Sequence, residues 1–126
     1  MHTTRRQPIT AAALSGATAV RAVAAWCLDV HAVGEADRPS IVPVFVAVAR
    51  AVVSPSPDAF DAIAAALAAW CQLAVSTVQR GGAEAPMYRD EVTAPLMARA
   101  VDVAALAGQA ALDAGGLAGL EHGADN

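Results

Sequence analysis

The sequence predicts an all-α chain folded as an antiparallel four-helix bundle, on three observations. Residues 56–80, which open on Ser-Pro and are followed by Gly-Gly, hold an apolar run from Ala62 to Val75 broken only by Gln72. The segments around it carry apolar residues at spacings of three and four, the period of a buried helical face. The rare residues Trp and Cys occur only as two Trp-Cys pairs, each preceded by two alanines. A chain of 126 residues is read as a single domain, able to bury one core without disulfide or metal staples. Alanine dominates and aromatics are scarce, so the core consists of small side chains and helix axes can approach closely.

Residues 1–8 read as a polar, flexible tail, and a first helix spans about 10–32. Pro8 stands ahead of its start and Val33-Gly34 ends it. Leu14, Val20, Val23, Trp26, Cys27 and Val30 mark its buried face, while Gly16 weakens the helix by about 1 kcal/mol relative to Ala and in exchange permits a close crossing. Residues 34–40, GEADRPS, form a charged loop. Ser40 is placed to cap a second helix over 41–53, whose Pro43 falls in the first turn, where proline is tolerated. Its β-branched content also suits a buried strand, but a lone strand among helices has nothing to pair with.

The third helix, 56–80, has Ser56 as N-cap and Pro57 at its first position, and Gly81-Gly82 closes it. Between Ala62 and Val75 only Gln72 is polar, so the helix is expected to be covered on most sides by other helices, by a second copy of the chain, or by lipid. After a connection at 81–86, a final helical stretch runs from about 87 to 113. Pro95 is expected either to kink it or to break it, with Thr93 capping the second part. Residues 114–126 are glycine-rich and read as a frayed tail.

The Trp-Cys pairs read Ala24-Ala25-Trp26-Cys27 and Ala68-Ala69-Trp70-Cys71, and a weaker echo links Ala49-Arg50-Ala51-Val52 to Ala98-Arg99-Ala100-Val101. They predict two repeated helical hairpins, 8–54 and 56–113, about a pseudo-two-fold axis.

Candidate site residues follow from the same pairs. Trp26 and Trp70 read as the large anchors of a small-residue core, or as the walls of a ligand pocket between the hairpins. Cys27 and Cys71 read as free buried thiols, with a disulfide open only if their Cα atoms come within about 7 Å. Cys27 and His31, four apart, share a helix face, which suits a thiolate–imidazole dyad or two metal ligands, yet no third ligand is in view and Val75 occupies the matching place in the second hairpin. His31 reads more simply as a partner of the helix C-terminal dipole. Arg21, Arg50 and Arg99 line an anion pocket if they converge; otherwise they are exposed or ion-paired, for instance Arg99 with Asp102. Asp58 and Asp61 suit the N-terminal dipole of the third helix, and Tyr88-Arg89-Asp90-Glu91 is a compact polar cluster at the start of the last.

Several functions are disfavoured. Basic residues total eight, all arginine, scattered except for Arg5-Arg6, and the net charge is −4, so nothing marks a nucleic-acid surface. The sequence lacks Glu-x-x-His, GxGxxG, GxxxxGK[ST], GxSxG and HExxH, and it predicts no cofactor and no metal. Two cysteines without zinc-site spacing point to a reducing, cytoplasmic setting. Against this, Arg5-Arg6 before a mild apolar run resembles a twin-arginine export signal, although Gln7-Pro8 departs from its pattern. The central apolar run of about 17 residues is marginal for a membrane span. The sequence therefore predicts a small non-enzymatic interaction protein that self-associates or takes a helical partner. A ligand-binding bundle and an exported protein are the alternatives.

Overall fold

In the computed structural model, residues 11–33, 38–80 and 93–125 are described, and side chains over 13–33, 38–76 and 93–115. The tail at 1–8, the arginine pair, the connection at 81–86 and the Tyr88–Glu91 cluster lie outside these residues. Four helices pack against one another: α1 (Ala11–Val33), α2 (Val42–Val53), α3 (Pro57–Arg80) and α4 (Ala94–Asp125). Among the described residues there is no strand, so the strand alternative for α2 is set aside.

The helix starts show how local chemistry sets the boundaries. At α3 the Ser56 hydroxyl accepts the Ala59 N–H at 3.0 Å and the Ser56 carbonyl accepts the Phe60 N–H at 3.1 Å, so Ser56 is the cap the sequence predicts. At α2 the cap position shifts by one. Ile41, already in the right-handed helical conformation, holds that place without a side-chain bond, while Ser40 accepts the Val42 N–H at 3.1 Å from one residue further back. At α4 the helix begins at Ala94, with buried Thr93 immediately before it. Pro95 is therefore the second residue of α4, a position where proline is tolerated, while the part of the expected stretch from 87 to 92 lies outside the described residues. The same helix extends to Asp125.

Each helix buries one stripe. In α1 it is Gly16, Ala19, Val23, Trp26, Cys27 and Val30. Leu14, assigned to that face from sequence, is instead exposed, because it lies about 160° round the helix from Gly16 at 100° per residue. The α3 stripe is Phe60, Ile63, Leu67, Trp70 and Ala74, and the α4 stripe is Leu96, Ala100, Val103, Ala107 and Ala110. With little beyond Cβ on most of its stripe, α4 nestles against both α1 and α3, its two most extensive partners. α2 leans chiefly on α3 and much less on α1.

Two expectations are corrected here. α3 is not enclosed on most sides: Ala62, Ala65, Ala68, Ala69 and Gln72 form an exposed flank along it. The physical reason is that four of the five residues on that flank are alanines, each exposing too little apolar area to require cover. The repeat finds no support either. The supposed equivalents α2 and α4 have 12 and 32 residues, and α4 packs far more extensively than α2.

Candidate functional site

The centre of the core is an aromatic layer. Trp26 of α1 and Trp70 of α3 meet edge to face, with ring centroids 4.9 Å apart and planes at 87°, the arrangement in which a positive ring edge meets a negative face. Both indoles are buried and both N–H groups are satisfied by backbone. Trp26 Nε1 donates to the Leu96 carbonyl in the first turn of α4 at 2.8 Å, and Trp70 Nε1 donates to the Pro39 carbonyl ahead of α2 at 2.9 Å. The pair thus ties all four helices, α1 and α3 through the rings and α4 and the approach to α2 through the hydrogen bonds. The rings themselves fill the space between them, where the sequence offered a ligand pocket.

Beside this layer lie the two thiols. Cys27 is buried and Cys71 half-buried, and both are free, with no disulfide between them. Burial pushes the Cys27 thiol up from 9.0 to about 11 and raises Cys71 as well, so both stay protonated near neutral pH. Cys71 Sγ lies 3.9 Å from the Met97 carbonyl, a weak contact. A nucleophilic dyad needs the opposite, a thiol lowered by its neighbour. Cys27 is inside while His31, one turn on, is exposed. Among the described residues, no three His, Cys, Asp or Glu side chains gather as a metal site.

The three arginines do not converge. Arg21 is exposed on the outer side of α1, and Arg50 is exposed on α2. Arg99 of α4 donates from Nη1 to Asp29 Oδ2 of α1 at 2.6 Å, which replaces the expected partner Asp102. Two helices that pack side by side offer a cross-helix carboxylate that sequence spacing does not reveal. Arg38, read as part of a charged loop, is buried ahead of α2 at 6 % exposure. No sequence signal marked it.

The clearest surface feature is on α2. Its inner stripe, Val44, Ala47, Val48 and Ala51, is buried, yet its outer side is also apolar. Five of the thirteen exposed large apolar side chains among the described residues stand on this shortest helix: Val42, Phe45, Val46, Val52 and Val53, with Phe45 at 57 % and Val53 at 84 % exposure. The positions 42, 45, 49 and 52 repeat at three and four, the seam of a helix that meets another helix. Between this side of α2 and the first turns of α3 runs an open groove of about 650 Å³. Phe45, Val46, Ala49 and Val53 form one wall, Ala59 and Ala62 the other, and Arg50 and Asp58 flank it. Ser54 and Ser56 sit at its end, and the Ser56 oxygen is engaged in capping α3. Such a lining can bury an apolar partner and hold one charge of each sign; it contains no histidine to activate a hydroxyl.

By length and apolarity, Ala13–Val33 and Pro57–Ser76 also reach the dimensions of a membrane span, at 21 and 20 residues and mean hydropathy 1.3 and 1.5. The second exceeds the run of about 17 expected from sequence. Each also supplies one ring of the tryptophan pair. No family model, curated protein or solved structure matches the chain.

Proposed function

We propose that this chain is a small, non-enzymatic helical interaction protein, an antiparallel four-helix bundle that works by associating with a second copy or with a partner helix. The observation that carries this is the outer side of α2, a helix apolar on both faces of which only one is covered. Exposed large apolar side chains scattered singly are ordinary, whereas five on one 12-residue helix form a patch of the kind that marks an interface. Support for self-association therefore rests on α2 and not, as the sequence suggested, on α3. The bundle arrangement is supported by the cycle of packed neighbours, α1 on α2, α2 on α3, α3 on α4 and α4 on α1, with the tryptophan pair bridging the diagonal. Free thiols at Cys27 and Cys71 favour a reducing, cytoplasmic setting.

Static light scattering across micromolar concentrations tests the proposal. A mass that rises above the 12.7 kDa of one chain supports self-association. If the mass stays at one chain and α2-derived resonances are unperturbed by any helical partner, the proposal fails.

A further inference from the structure

Resting on the self-association proposed above, we infer that the partner seated in the α2–α3 groove is a second copy of this chain, related by a two-fold axis through the groove between Arg50 and Asp58. A two-fold interface puts a patch against itself, so the patch must be complementary to its own image. This one is. Its apolar seam suits another apolar seam, and its two flanking charges have opposite sign, so the axis sets Arg50 of each copy against Asp58 of the other. Neither charge is used within the chain: among the described residues the side chains of Arg50 and Asp58 make no hydrogen bond or salt bridge, and the Arg50 carbonyl serves only to accept the Ser54 N–H at the end of α2. A second copy placed on this axis satisfies both charges at once. Ala49, exposed on the seam among valines, allows the two α2 helices to approach closely.

The interface is small. A helix of 12 residues is about 18 Å long, so even with the flank of α3 it falls below the roughly 800 Å² per partner of a standard interface, and the dimer is expected to dissociate on dilution through the micromolar range.

Charge exchange tests the pairing. Arg50→Asp places two carboxylates at each contact and Asp58→Arg two guanidinium groups, so each single variant should raise the dimer dissociation constant at least about tenfold by sedimentation equilibrium at low salt. Mixing the two single variants restores both contacts, as does Arg50→Asp combined with Asp58→Arg in one chain, and either should return association to near the wild-type value. Circular dichroism melts of all three variants establish that each remains folded. If the wild-type chain dimerises but the single variants dimerise equally well, or the mixture does not recover, the two-fold pairing is overturned while self-association stands. A wild-type chain that stays monomeric removes the self-association itself.

Discussion

The aromatic layer around Trp26 and Trp70 and the outer side of α2 are both built from large apolar residues in an alanine-rich chain, and they have opposite fates. In the layer both indole N–H groups have a partner and each buried ring packs against the other. On α2 the side chains are as apolar, but Val42, Phe45, Val46, Val52 and Val53 stand exposed, with none of the described residues covering them. The difference teaches that hydrophobic character alone does not decide what is core. Burial follows from whether a neighbouring helix offers a matching surface, and α4, with its mainly small-residue stripe, offers one to α1 and α3 and not to α2.

That contrast predicts a graded response to substitution. Trp26→Ala should cost about 3–5 kcal/mol by chemical denaturation, since it opens a cavity, removes the edge-to-face contact and ends the bond to the Leu96 carbonyl. A loss below about 1 kcal/mol would mean the layer is not the keystone. Phe45→Ser, by contrast, should leave the unfolding free energy of the dilute chain within about 0.5 kcal/mol while weakening association.

Alkaline pH acts on the layer next. The folded Cys27 thiol ionises at about 11 and the unfolded one near 9.0, so the unfolded state releases its proton first as pH rises. Stability tied to this thiol is fully present below about pH 9 and falls between pH 9 and 11, by on the order of 2 kcal/mol. Cys27→Ala should flatten that part of the stability–pH curve, and an unchanged slope would show that burial is not what raises the thiol.

Two glycines give opposite smaller shifts. A Cβ on Gly16 would lie 2.8 Å from Phe60 Cζ in the packed interior, so Gly16→Ala gains about 1 kcal/mol of helix propensity and loses about 1–3 kcal/mol to overpacking. A net loss is expected in the melting temperature. Gly108 has nothing within 4 Å of that position, and Gly108→Ala should stabilise by about 0.5–1 kcal/mol. Equal effects at the two positions would contradict the close crossing of α1 over Phe60. Smallest is Arg99→Met. The Arg99–Asp29 pair is roughly half exposed on both sides, so its loss should cost less than about 1 kcal/mol and vanish in high salt.

Much of the helical framework was legible in the sequence because its punctuation is local. Ser56-Pro57 fixes one helix start through its own hydroxyl, and Gly16 announces the Phe60 crossing because a missing Cβ has few other uses inside a helix. What was not legible depends on phase or on distant partners. α2 carries valine all round, so nothing in its pattern says which side faces the core. The apolarity of α3 suggested enclosure, but alanine surface tolerates water. Arg99 chose Asp29, seventy residues away, over the nearer Asp102, and Arg38 was buried by packing that no spacing encodes. At the candidate site, Arg50 was singled out from sequence whereas Asp58 was assigned only to the helix dipole. The groove that brings both to one surface exists only once α2 folds back onto α3.

The central claim is that the uncovered side of α2 is an interface between chains. Hydrogen–deuterium exchange read at peptide level over a dilution series, from hundreds of micromolar to below one, tests it most directly. Protection of α2 and the first turns of α3 should rise with concentration while that of the outer, Arg21-bearing side of α1 stays constant. Protection that is independent of concentration along α2, or that rises equally in every helix, would contradict it.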